Sequence, residues 1–165
     1  VSPDNSAGWE RMNAVAPYFQ PHRVTSGAGI SAEEAYQSAS YPYPIMVANA
    51  DLDDETAYGL IETLVEDYER YKDAAPGAAG YAVDNQNMTW VIPFHDAVVD
   101  YYRETGVWTD EMQVHQERLL DRQQLLAETW SDYVATAPDQ EAAFRQCWLA
   151  ARAAALEDAG MPTVF

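Results

Sequence analysis

Apolar residues recur at three- and four-residue steps along most of the chain, and this spacing predicts four or five helices. The clearest stripe is Ala57, Leu60, Ile61, Leu64, Val65, Tyr68 and Tyr71. Its helix opens at Asp51-Leu52-Asp53-Asp54-Glu55, where the carboxylates offer N-cap oxygens and favourable charge, and it ends before Ala75-Pro76-Gly77. Upstream, Trp9, Met12, Ala16 and Phe19 predict a helix over Ser6 to Phe19, closed by Pro17 and Pro21. Downstream, a short helix from about Asp96 to Glu104 buries Val98, Val99 and Tyr102 and finishes at Gly106. Thr109 caps a long helix with Met112, His115, Leu119, Leu126, Trp130 and Tyr133 on its inner face. Pro138 suits the first turn of a last helix, whose stripe is Phe144, Cys147, Trp148, Ala151 and Ala155 and whose end is marked by Gly160 and Pro162.

Strands are scarcer. Tyr41-Pro42-Tyr43-Pro44 reads as extended, because a residue before proline is pushed away from helical angles. It leads into Ile45-Met46-Val47-Ala48, a continuously apolar run that predicts a strand buried on both faces. Trp90-Val91-Ile92 is a second short strand or a packed connection. Thr25 to Ile30 is small and loop-like, and Ser31 is placed to cap a helical turn over Glu33-Glu34. A lone buried strand leaves backbone groups unpaired. Its mates are therefore expected within 20–40 and 80–92 or, as the favoured alternative, on residues outside this chain.

The 165 residues suit one compact domain, and 48% hydrophobic content with eleven Tyr and five Trp supplies a core. The balance of 27 acidic against nine basic residues, a formal net charge of −18, argues against nucleic-acid and anionic-membrane partners. It describes a solvated acidic surface or, alternatively, a docking face for a basic partner. No apolar run approaches the roughly 20 residues that span a bilayer. Cys147 stands alone, so no intrachain disulfide forms, and its apolar neighbours predict a buried structural thiol.

Three stretches resemble the C-terminal half of TAXI-type solute-binding subunits, the extracytoplasmic receptors of TRAP transporters. They are Trp9 through Ile30, with Ala16-Pro17-Tyr18-Phe19 and Thr25-Ser26-Gly27-Ala28-Gly29-Ile30-Ser31; Tyr41 to Ile45 running into Ala50-Asp51-Leu52; and Trp90-Val91-Ile92-Pro93-Phe94-His95-Asp96-Ala97 followed by Tyr102, Glu104, Gly106 and Trp108-Thr109-Asp110. The resemblance covers roughly residues 8–135. It implies an α/β fragment of periplasmic-binding-protein type II kind, predominantly helical with one to three short strands. Residues 1–40 would be a remnant of the second lobe, and 41–165 the crossover strand and C-terminal helical portion. It further implies a small organic anion, such as a carboxylate or amino acid, handed to TRAP-type permease subunits in the periplasm or an equivalent extracytoplasmic space. The export signal and first lobe belong upstream of Val1 on this reading, and the half-receptor is expected to self-associate.

Carboxylate ligands call for Arg forks, hydroxyls and backbone N–H groups. Arg23, Ser26 and Gly27 offer these on one loop, while Tyr41, Tyr43 and Trp90 are candidate walls of a ligand site. Each has a plainer role as a turn or core residue. No catalytic residue, metal or cofactor is expected. His95-Asp96 are neighbours on a helix start that do not face each other, and Glu111 and His115, though at i, i+4, lack an evident third ligand. Asp51, Asp53 and Asp54 lack the glycine and distal glutamate of a calcium loop. A helical protein-interaction module and a metal-assisted hydrolase using His95, Asp96 or Glu111 are the rival readings.

Overall fold

The computed structural model describes residue 2 and residues 4–25, 27–42, 45–75 and 77–164. Among these, six α-helices and two strands run in the order α1 (Ser6–Asn13), β1 (Gln20–Val24), β2 (Tyr36–Ser40), α2 (Asp54–Glu66), α3 (Tyr68–Tyr71), α4 (Asp96–Glu104), α5 (Asp110–Val134) and α6 (Glu141–Asp158). Residues group into two compact units, Val1–Met112 and Gln113–Phe165.

In the first unit, Asn5 caps α1 by accepting from Gly8 N at 2.9 Å, and Trp9 is buried with its indole N–H on Ser2 O at 3.0 Å. The helix is shorter than its apolar spacing predicts. Ala16 N still reaches Met12 O at 2.7 Å, but the next donor would be Pro17, which has no N–H. The freed chain enters a hairpin instead. β1 pairs antiparallel with β2 in the register Gln20↔Ser40 to Val24↔Tyr36. Pro21 is tolerated because both strands of a two-stranded sheet are edges. At the far end Ile30 N bonds Gly27 O at 3.1 Å, with Gly29 in the left-handed region at φ 74°. Ser31 Oγ accepts from Glu34 N at 3.1 Å, as its capping role predicts, but the turn does not propagate and the chain passes into β2.

The expected strand at Ile45–Ala48 is not formed. These residues are irregular and exposed, with Ile45 at 40%, Met46 at 47% and Val47 at 70%. Continuous apolarity signals burial only where a partner exists, and here water can satisfy the backbone. The ladder lies within 20–40, the alternative the sequence argument disfavoured. Trp90–Ile92 is a bent connection, not a strand.

Asp53 caps α2 twice over, Oδ1 accepting from Thr56 N at 2.9 Å and Oδ2 from Thr56 Oγ1 at 2.8 Å. These bonds hold its carboxyl below the usual carboxylate range, the backbone donor contributing most. The predicted single helix breaks at Asp67, and the Tyr71 hydroxyl donates to Leu64 O at 2.7 Å beside the break. α2 packs on α4 through the core of the unit. Met88, Tyr101 and Tyr102 are buried at its centre, with Tyr58, Ile61 and Val65 from α2 and Phe94, Trp108 and Met112 around them. α4 ends in a Schellman motif: Gly106 N bonds Arg103 O at 3.1 Å, Val107 N bonds Tyr102 O at 2.8 Å, and Gly106 has φ 74°.

Burial pushes the Tyr102 hydroxyl up to about 12, and the hydrogen bond to Glu104 does the same for Tyr58. A tyrosine pKa raised by folding favours the native state fully below the unfolded value, about 10, and that contribution is lost as pH rises toward 12. Urea midpoints are therefore expected to fall between pH 10 and 12, less steeply in Tyr102→Phe. An equal slope in that variant would show that Tyr102 does not contribute.

In the second unit, an aromatic cluster joins α5 to α6. Trp130 and Trp148 meet edge-on at 4.8 Å, Tyr133 and Phe144 at 5.2 Å, and the Tyr133 hydroxyl donates to Phe144 O at 2.5 Å. Cys147 is exposed, which corrects the expected buried thiol. It lies on the margin of the stripe formed by Phe144, Trp148, Ala151 and Ala155, so the helix turns it toward solvent. Leu156 is fully buried at 0% exposure. Gly160, at φ 67°, completes a second Schellman motif with Gly160 N on Glu157 O at 2.9 Å and Met161 N on Leu156 O at 2.8 Å. The expected terminator at Gly160 and Pro162 thus reverses the chain after α6.

Candidate functional site

The hairpin sets the positions of most ligand candidates. Its open end is flanked by aromatic residues: Phe19 immediately precedes β1 and Tyr41 immediately follows β2. Their rings meet edge-on at 6.1 Å, and Tyr18 lies against Phe19 at 4.7 Å. Trp90, far along the chain, donates its indole N–H to Tyr18 O at 3.4 Å. The fold therefore gathers Tyr41 and Trp90 around Tyr18 and Phe19. Tyr41 is exposed and the other three are half-buried, so rings line this end without being sealed in a core. Beyond Tyr41 the chain runs into the exposed Ile45-Met46-Val47 segment.

Arg23 and Gly27 are placed elsewhere. Arg23 pairs with Gln37, three positions along the ladder from Gln20↔Ser40, or about 10 Å at the usual strand rise. Its Nη2 donates to Ala32 O at 3.0 Å, closing the hairpin loop. Gly27 heads the turn to Ile30, and a Cβ there would meet the Ile30 side chain at 3.4 Å. Ser26 and Tyr43 lie outside the described residues. The candidates thus separate into an aromatic end and a polar loop on one hairpin. Tyr18 and Phe19 join the site only through tertiary contacts, although Ala16-Pro17-Tyr18-Phe19 is one of the motifs carrying the family resemblance.

His95, Asp96 and Glu104 each have a structural role. His95 caps α4: Nδ1 accepts from Ala97 N at 3.3 Å, while Nε2 sits 3.0 Å from Leu52 O. A carbonyl only accepts, so the network assigns the proton to Nε2 and leaves neither ring nitrogen available. Asp96 occupies the first turn of α4, where negative charge favours the helix. Glu104 accepts the Tyr58 hydroxyl at 2.5 Å, tying α4 to α2. Among the described residues, no group of three or more His, Cys, Asp or Glu side chains is placed to hold a metal ion. Nor is any helix among them long and apolar enough to cross a membrane.

Residues 5–106, more than half of the 165-residue chain, match a family described as the NMT1-like family. No curated protein and no solved structure matches the chain. The aromatic group, the hairpin loop and α4 all fall inside the matched stretch; α5 and α6 fall outside it.

Proposed function

Since the chain belongs to the NMT1-like family, a periplasmic solute-binding family, we propose that it is the C-terminal half of a TAXI-type receptor delivering a small organic anion to a TRAP-type permease. The family is one of extracytoplasmic binding proteins, not of enzymes. The observation that supports this reading is the gathering of Tyr18, Phe19, Tyr41 and Trp90 within the matched stretch, beside an apolar segment that stays exposed.

Such a group suits one wall of a ligand site. Aromatic faces receive the apolar body of a solute, while phenol and indole tips supply directional polar contacts. The proposed anion-holding groups are Arg23, Ser26 and the Gly27 backbone, with Tyr43 joining the aromatic wall. Arg23 would exchange its bond to the Ala32 carbonyl for a charge-assisted bond to a carboxylate, which is the stronger pairing. The opposite wall would come from a first lobe, which would also cover Ile45-Met46-Val47. Without it that segment is open to a second copy, so some self-association is part of the proposal. A helical interaction module draws on the same exposed segment, but it assigns no role to the aromatic group.

Calorimetry with amino acids and small dicarboxylates tests the proposal on two samples, this chain and the product of its full reading frame. This chain is expected to show no tight binding. The full product is expected to bind one of these anions in the micromolar range, and Trp90→Ala and Tyr41→Ala should each weaken that binding by about tenfold, the equivalent of about 1.4 kcal/mol. Micromolar binding by this chain alone would overturn the half-receptor reading. Binding indifferent to both substitutions would overturn the site.

A further inference from the structure

In a chain with 27 acidic and nine basic residues, carboxylates are in ample supply for the basic side chains. Arg70, Lys72, Arg103 and Arg145 each hold one within their own helical turn or the turn beside it. Arg122 on α5 and Arg152 on α6 hold none among the described residues. Both instead reach backbone carbonyls of the reversed segment after α6: Arg122 Nη1 donates to Pro162 O and Arg152 Nη1 to Thr163 O, each at 2.6 Å. Adjacent peptide units thus bring two like charges together. Carbonyls carry only partial negative charge, so this arrangement leaves the pair uncompensated. Arg122 Nη2 is shut away from solvent with no hydrogen-bond partner among the described residues, a costly condition for a charged donor. Burial first, and the Arg152 charge second, lower the Arg122 pKa.

We propose that Arg122 and Arg152 form a binding site for a small oxyanion, a carboxylate or a phosphate, whose place the Pro162 and Thr163 carbonyls take when it is absent. Two guanidinium groups that donate to adjacent carbonyls suit the closely spaced oxygens of such anions. An incoming anion would neutralise both charges and give Nη2 an acceptor, which the carbonyls do not. The segment it displaces is lightly held, since Met161 is fixed by the Schellman turn while Pro162 and Val164 are exposed. The site lies outside the family match and stands independently of the solute-receptor reading.

The test is a pair of amide NMR titrations of the whole chain, with sodium phosphate and with sodium succinate, each replacing chloride at constant ionic strength. Saturable shifts are expected at Met161, Thr163 and Val164 and at the Arg122 and Arg152 Nε–H groups, with the tail amides moving toward random-coil positions. Saturation by either anion supports the site, and the tighter of the two identifies its source. Arg152→Lys keeps the charge but not the fork and is expected to bind about tenfold more weakly; Arg152→Gln should abolish saturation. Shifts that grow linearly with concentration, or that persist unchanged in folded Arg152→Gln, would mean an adventitious ion only and overturn the proposal.

Discussion

Tyr102→Ala is expected to destabilise the first unit by about 3–5 kcal/mol, the usual cost of removing a large buried ring. Tyr102 is only 3% exposed, and its ring meets Phe94 at 6.1 Å and Tyr101 at 5.9 Å. Its backbone carbonyl also receives Val107 N and Trp108 N, so the residue anchors both the core and the exit from α4. The loss rivals the roughly 5–15 kcal/mol that holds an ordinary domain together, and the variant is expected to be partly unfolded at 37 °C. Tyr102→Phe keeps the ring and should cost less than about 1.5 kcal/mol near neutral pH. Urea denaturation followed by tryptophan fluorescence checks both. A cost below about 1 kcal/mol for Tyr102→Ala would mean that Met88, Tyr101 and their neighbours close over the space, and that Tyr102 is not the centre of this core.

Leu156→Asp is expected to have the largest effect in the second unit. The side chain has no solvent exposure, and a carboxylate placed there without a partner either stays protonated or unravels its surroundings. The milder Leu156→Ala should cost about 2–5 kcal/mol. Near-UV circular dichroism reports on the Trp130–Trp148 pair at 4.8 Å. The part of the signal that comes from this pair should be lost in Leu156→Asp and persist at reduced thermal stability in Leu156→Ala. An unchanged melting temperature in the aspartate variant would contradict the burial of this position.

These two residues also mark how far the sequence could be read. α4 was legible almost to the residue, because its apolar positions and its terminating Gly106 are local signals. The start of α2 was legible for the same reason, since Asp53 and its acidic neighbours announce a cap. The break at Asp67 was not, because the apolar stripe continues through Tyr68 and Tyr71 and hides it. The hairpin left no trace in hydrophobic periodicity. Gln20–Val24 and Tyr36–Ser40 are polar and largely exposed, and their pairing rests on backbone bonds that side-chain spacing does not report. Ile45–Ala48 misled in the opposite direction, its composition implying a buried strand where the fold supplies no mate.

At the candidate site, aromatic type pointed to Tyr41 and Trp90, but what joins them is tertiary. Trp90 reaches Tyr18 across 72 positions of sequence, a separation no local pattern encodes. Arg23 and Gly27 looked like one anion-holding loop. Hairpin geometry adds a structural duty for each, Arg23 closing the loop and Gly27 heading its turn. The Arg122–Arg152 convergence was invisible for a similar reason, since it depends on the chain reversing at Gly160.

The open Ile45-Met46-Val47 segment carries a built-in chemical reporter. Met46 presents its thioether to solvent, whereas Met88 is only 7% exposed, so dilute peroxide should convert Met46 to its sulfoxide well before Met88 reacts. Any protein surface that settles on this stretch would slow the first reaction and leave the second untouched. The ratio of the two oxidation products, read by mass spectrometry, therefore tracks the covering of one short segment without a label or a substitution.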